Sequence, residues 1–302
     1  AKDTGYRLLF QEIEGKHKTA IDELIPAVEQ MEIITSVQSE LQQLKTLLDG
    51  CYLLGERSPR TADAIAGMGE LLSAQIIAKA LQLQLPESYF KDSRELIVTD
   101  ANYGKAQVDF ETTNTLIKDY FSSSNQKVTL LPGFIARDKN NNTTTLGRGG
   151  SDYTAAIIAN GVQANDLEIW TDVNGMFTAN PKLVKQAQPI ATISYQEAME
   201  LSHFGAKVLY PPTIQPVLKS QIPIWIKNTF EPDAEGTFIC AHPEGVTNPI
   251  KGISHIDKIA LVTLEGSGMI GVAGSSKRLF EVLSREQINV IFITQASSEH
   301  SI

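Results

Sequence analysis

Residues Gly147 to Ala156 read GRGGSDYTAA, three glycines set around one arginine and followed at once by Ser151 and Asp152. The apolar and small run Thr154–Ala159 that continues it reads as a buried helix. Glycines let a backbone turn tightly and approach a ligand closely. A helix that starts after such a turn offers unpaired N–H groups and the positive end of its dipole to an anion. Ser151 or Asp152 also suits a plain helix cap, and the residues alone leave both roles open. Capping does not account for Arg148, a forked donor matched to carboxylate or phosphate.

Working outward, Leu167–Trp170 reads as a strand that ends in the polar turn 171–175, TDVNG. Upstream, strands are expected at Leu96–Thr99, Lys127–Leu131 and Phe134–Ala136, with 138–145, DKNNNTTT, as an exposed loop or hairpin tip. Residues 1–55 read as helical and irregular, with helical spacing over Ala20–Met31 and Val37–Leu48. Ser58-Pro59 opens a further helix to about Leu85, Pro59 fitting its first position. Glu70 lies within it, and by composition it is either a solvent-facing charge or a ligand. Helices are also expected at 195–202 and through Leu218, with a strand at Ile222–Ile226. Strands alternating with helices predict an α/β fold with a mostly parallel sheet between helices. Ligands of such sheets lie outside the carboxyl ends of the strands, where both polar turns are expected. Asn248-Pro249 begins a linker, so the domains are set at 1–247 and 248–302. The second carries strand 258–264, helix 275–286 and strand 289–294, half of a small α+β module.

At 302 residues, two domains are the natural reading, and 42% hydrophobic with 20% charged residues describes an ordinary soluble globular protein. A net charge of −9 argues against a nucleic-acid surface and against an anionic membrane partner. Two cysteines, Cys51 and Cys240, without metal-ligand spacing fit a reducing, cytoplasmic setting. No apolar run is judged long enough to span a bilayer.

With GRGGSD, TDVNGMFTANP (171–181) and FGAKVLYPPT (204–213) in that order, the chain resembles aspartokinases from end to end. Its close, INVIFITQASSEHSI (288–302), is most similar to the aspartokinase half of bifunctional aspartokinase–homoserine dehydrogenases. The resemblance implies the amino-acid kinase fold with a C-terminal ACT-type regulatory region. It implies transfer of the γ-phosphoryl group of ATP, with Mg²⁺, to the side-chain carboxylate of L-aspartate. Arg148 then clamps a substrate carboxylate, aided by Gly149, Gly150 and Ser151, while Glu70 holds the α-ammonium. Asp152 resembles the family's active-site aspartate, organising Mg²⁺ or nearby donors. Thr171 and Asp172 resemble the ribose- and adenine-contacting pair. Phe177 stands where many relatives carry tyrosine, and Lys182 where arginine is common. Lys207 and Val208 match the GAKV segment that reaches nucleotide phosphates, although alone Lys207 reads as a surface lysine. Tyr210 replaces the usual histidine.

The family's opening K-F-G-G-[TS] segment is not among these residues, and an N-terminally incomplete kinase domain with a partial ACT region is expected. A non-catalytic amino-acid sensor that keeps the fold is the competing reading, and a dinucleotide-binding dehydrogenase is a poor one. The ACT region implies homo-oligomers, and the bifunctional branch implies threonine as effector. Ile293 and Gln295 are the expected regulatory contacts, Gln295 equally readable as an exposed residue after a strand.

Overall fold

Three long helices open the chain: α1 (Tyr6–Leu24), α2 (Gln30–Leu54) and α3 (Pro59–Gln84). The spacing over 20–31 does not make one helix. Pro26 lacks an N–H and pushes Ile25 into extended backbone, so the chain turns there. The side-chain amide of Gln30 donates to the Ile25 carbonyl at 2.8 Å and closes the corner. Ile33, Val37 and Leu41 of α2 form a helical stripe buried against Ile21 of α1 and Leu72 and Ile76 of α3. Gly55 ends α2 in the left-handed region at φ 76°, the usual glycine terminator.

Ser58 caps α3 by accepting from the Thr61 N–H at 3.1 Å, with Pro59 at the first position as expected. By length and composition alone α3 is apolar enough to cross a membrane, contrary to the sequence expectation. Its Met68, Leu71, Leu72 and Ile76 are instead buried in two protein clusters, which accounts for its apolar character.

The computed structural model describes residues 4–124, 126–204, 209–243, 250–266 and 274–294. It divides into two compact units, 1–255 and 256–302, each taken here by itself. In the first unit the strands are β1 (Ser88–Phe90), β2 (Val98–Thr99), β3 (Val128–Leu130), β4 (Ile135–Asp138) and β5 (Thr143–Thr145). They are followed by β6 (Leu167–Thr171), β7 (Thr192–Ser194), β8 (Ile224–Asn228) and β9 (Thr237–Cys240). Interleaved are α4 (Phe110–Ser123), α5 (Gly150–Val162), α6 (Tyr195–Phe204) and α7 (Gln215–Lys219).

Four pairings are parallel, β1–β3, β2–β4, β6–β8 and β7–β9; β4–β5 and β8–β9 are antiparallel. Among the described residues the ladders form three sheets, of order β1-β3, β2-β4-β5 and β6-β8-β9-β7. β1 comes earlier than the first strand expected from the sequence, because SYF is too short a run to signal one. The main core lies on one face of the four-stranded sheet. There Leu167, Ile169, Ile193, Ile224, Ile226 and Ile239 meet Ala156 and Ala159 of α5, Ala198 of α6 and Val217 of α7.

Of the two forms expected for residues 138–145, the hairpin is the one present, but it is not exposed throughout: Asp138, Thr144 and Thr145 are buried. Asp138 accepts from the N–H groups of Asn140 and Asn142, the Asn142 side chain and the Tyr103 hydroxyl, at 2.8–3.0 Å. Burial works to raise its pKa, but these four donors prevail and hold it below the usual carboxylate range.

In the second unit the expected helix is present as α8 (Ser275–Arg285). The expected strands do not form: residues 258–264 and 289–294 carry no ladder, and Leu261 and Phe292 are exposed. A strand exists only as a pairing, and among the described residues these two segments have no neighbour to pair with.

Candidate active site

The turn at 147–152 is built by its glycines. Gly147 (φ 74°) and Gly149 (φ 69°) are both left-handed, and Gly150 N–H donates to the Gly147 carbonyl at 3.1 Å. Gly149, not Ser151 or Asp152, is the N-cap of α5, and no side chain caps that helix. The capping alternative for Ser151 and Asp152 is thereby removed, since a left-handed glycine already turns the chain into the helix. The turn also does not follow a parallel strand, as expected from the sequence. It follows β5, whose Thr145 pairs with Ile135 at the start of β4, because the hairpin reverses the chain.

Two further loops close on this turn. A Cβ on Gly133 would lie 2.9 Å from Ser151 Cα, and one on Gly150 would lie 2.6 Å from the Phe134 ring. Phe134 adopts φ 70°, donates its N–H to Thr154 Oγ1 at 3.0 Å and accepts from Leu146 N–H at 2.9 Å. Thr154 Oγ1 in turn donates to the Gly150 carbonyl at 2.9 Å. From the other side, Gly147 leaves only 3.1 Å between its missing Cβ and the Gly104 carbonyl. Phe134 also packs against the cluster of Leu44, Met68, Leu71 and Ile135, to which α3 contributes.

Asp63, Gly67 and Glu70 stand at i, i+4 and i+7 on α3 and therefore share one face. Gly67 sets that face against the hairpin: its Cβ would lie 2.7 Å from Ile135 Cγ2 and 3.4 Å from Thr143 Cγ2. Glu70 is half-buried rather than solvent-facing, and burial raises its pKa. Asp152 is half-buried, its pKa likewise raised by burial. Among the described residues neither carboxylate has a hydrogen-bond or ion-pair partner for its side chain. Arg148 is exposed, its guanidinium 5.6 Å from the Tyr210 ring centre. Such a contact is worth about 0.5–1 kcal/mol at an exposed site, less than a bidentate carboxylate, so the fork is available.

An unpaired, partly desolvated carboxylate favours its neutral form, and a bound cation reverses that preference. Asp152 can thus act as a ligand to a bound cation. Among the described residues no cluster of three or more potential metal ligands occurs. A raised carboxyl pKa also costs stability as the pH rises from the unfolded pKa through the folded one, because the unfolded chain ionises more readily. Asp152→Asn is accordingly expected to melt at or above the parent temperature at pH 7 without ligands. That advantage should fade as the pH falls through the window between the unfolded and the raised folded pKa. Thermal melts from pH 4 to 7 check this, and a variant less stable throughout the range contradicts it.

A second group of polar residues follows β6. Thr171 Oγ1 donates to Asp172 Oδ1 at 3.2 Å, and the Thr171 carbonyl accepts from Thr229 N–H at 2.8 Å. Asn174 accepts from Asn228 Nδ2 at 2.5 Å and donates to Glu231 at 2.8 Å. Parallel β6 ends here, so this turn does lie at a carboxyl edge. Phe177 is half-buried and bridges to Pro189, while Lys182 is exposed. Lys207, Val208 and Gln295 lie outside the described residues, and Ile293 is exposed. The sequence reading missed Phe134, Tyr103 and Asp63. Pro132-Gly133 just before Phe134 was the available signal for a corner, whereas nothing in the sequence marked Asp63.

The sequence profile of the amino acid kinase family matches residues 7–228. The chain belongs to that family, and residues 262–302 match an ACT domain. It is 37% identical, over all of its residues, to bifunctional aspartokinase/homoserine dehydrogenase 2 of Zea mays, of which it covers 34%. It thus spans about a third of the length of that curated relative. Its fold is similar to E. coli aspartokinase III in complex with aspartate and ADP (TM-score 0.82, 28% identity, 99% of this chain and 66% of the other). A second form of the E. coli enzyme, with lysine and aspartate, gives 0.80 at 30% identity, with the same coverage.

Proposed function

We propose that the protein is an aspartate kinase, transferring the γ-phosphoryl group of ATP to the β-carboxylate of L-aspartate and giving 4-phospho-L-aspartate. This would open the biosynthetic route to threonine, lysine and methionine. The observation that carries the reading is one arrangement. Helix α3 presents Glu70 on the face docked to the β4–β5 hairpin, and that hairpin runs directly into the turn bearing Arg148. A carboxylate and a guanidinium on joined elements suit the two ends of an amino acid, Glu70 for the ammonium and Arg148 for a carboxylate. Gly149 and Ser151 add main-chain and hydroxyl donors at the start of α5, where the Gly150 N–H is taken by the Gly147 carbonyl.

Phosphoryl transfer between two anions needs positioning and charge neutralisation more than covalent help. Mg²⁺, held by Asp152 and the nucleotide phosphates, would neutralise the charge on the transferring group. Thr171, Asp172 and Phe177 take the nucleoside in this reading, with Lys182, Lys207 and Val208 toward the phosphates. Threonine is the proposed effector, bound through the ACT region near Ile293 and Gln295, with copies of the chain associating through that region. The likeness to a bifunctional enzyme supports threonine, whereas the lysine complex of the E. coli enzyme is the alternative.

Incubating the full-length protein with Mg-ATP and aspartate, and trapping the acyl phosphate with hydroxylamine, tests the reaction. Hydroxamate should form with aspartate and not with glutamate, and threonine should suppress it. Formation with no amino acid offered would overturn the substrate assignment, and suppression by lysine alone the effector.

A further inference from the structure

Asp63 is buried, with 4% of its surface exposed, and it makes no contact assigned to catalysis or binding. One of its carboxylate oxygens accepts from the main-chain N–H of both Gly104 and Thr145, each at 2.9 Å, and the other accepts from Thr145 Oγ1 at 3.0 Å. These partners are 41 and 82 residues away in the chain, so the side chain joins three separate elements. Both lie against the turn. Gly104 offers the carbonyl against which Gly147 packs, and Thr145 is the last residue of β5 before Leu146 and Gly147. The Thr145 carbonyl also accepts from Ala106 N–H at 3.2 Å, closing a loop of contacts around the same point. On α3, Asp63 precedes Glu70 by two turns on the same face, about 10 Å along the axis.

We infer that Asp63 is a positioning residue for the substrate site. It fixes the start of the arginine-bearing turn to the helix that carries Glu70, and so sets the separation of the two groups that take the ends of the amino acid. This rests on the proposed substrate roles of Glu70 and Arg148. A buried carboxylate with three donors is satisfied and rigid, whereas its removal leaves two main-chain N–H groups unpaired beside the turn. Small displacements of a binding group carry large kinetic effects.

Kinetics of the full-length protein test the inference by separating the two substrates. Asp63→Ala is expected to raise the KM for aspartate about tenfold or more, with the KM for ATP within about twofold of the parent. Asp63→Asn should recover most of the aspartate KM, because its carbonyl still accepts from both N–H groups while its amide donates to Thr145 Oγ1. Thr145→Val, which loses only the hydroxyl contact, should give a smaller selective rise, and it decides the matter if Asp63→Ala does not fold. Equal effects on both substrates, or none, in every variant that folds would overturn the tether. Arg148→Ala measured alongside distinguishes the failures. A selective rise for Arg148→Ala alone overturns the tether but keeps the clamp. A rise for Asp63→Ala alone overturns the clamp, and with it the tether, whose effect runs through Arg148. No rise in either overturns both.

Discussion

Arg148→Ala should raise the KM for aspartate by at least tenfold and leave the KM for ATP close to the parent value. Truncating one partner of a buried, hydrogen-bonded charge pair typically costs about 2–5 kcal/mol, and the substrate carboxylate would be that partner. The guanidinium rests 5.6 Å from the Tyr210 ring centre, a weak hold that a bound carboxylate would out-compete. Removing Arg148 should therefore leave the melting temperature almost unchanged while binding suffers. Arg148→Lys should recover little, because an ammonium is a point charge and cannot repeat a planar fork. Steady-state kinetics with aspartate varied at saturating Mg-ATP give the answer. An aspartate KM within twofold of the parent would show that the turn binds something else.

Gly175→Ala is expected to damage the fold itself. Gly175 has φ 100°, and a Cβ there would lie 2.3 Å from Thr237 Oγ1 and 2.8 Å from Thr237 N. Thr237 cannot give way cheaply: its hydroxyl accepts from Met176 N–H at 2.8 Å and donates to the Ile190 carbonyl at 2.7 Å. Backbone strain of about 1–3 kcal/mol and overpacking of about 1–3 kcal/mol then add to about 2–6 kcal/mol. That is a large part of the 5–15 kcal/mol typical of a folded domain. Denaturant unfolding should show a clear fall in midpoint, and the residual folded protein should use ATP poorly, since Asp172 lies on the same turn. An unchanged midpoint would mean that the turn rearranges freely.

The parts of the site legible in the sequence were those where chemistry and backbone coincide. Three glycines around an arginine are unusual enough to mark the turn, and Ser58-Pro59 marks the start of α3 by a local rule. What stayed hidden depends on partners distant in the chain. Asp63 looks like any polar residue in an early helical turn, because the two residues that bury its carboxylate, Gly104 and Thr145, lie far beyond α3. The polar run DKNNNTTT read as an exposed loop or hairpin tip, and the hairpin is there, but its exposure was expected only because polarity usually means water. Here Asp138 gathers four donors of its own, and Thr144 pairs with Thr99 at 2.7 Å, so polar groups are buried because they are satisfied. The strands of the second unit were legible as pattern but not as pairing, since β-propensity expresses a fit to neighbours that the described residues do not supply.

The shared face of Asp63, Gly67 and Glu70 turns α3 into a ruler whose markings cannot be shifted by one. Inserting a single residue between Gly67 and Glu70 would rotate the glutamate about 100° around the axis. The helix would remain as apolar and as well capped as before, yet its charged mark would point elsewhere. Deletions and insertions in this stretch are therefore constrained by angle rather than by composition, and only changes of about a whole number of turns could keep the reading in register.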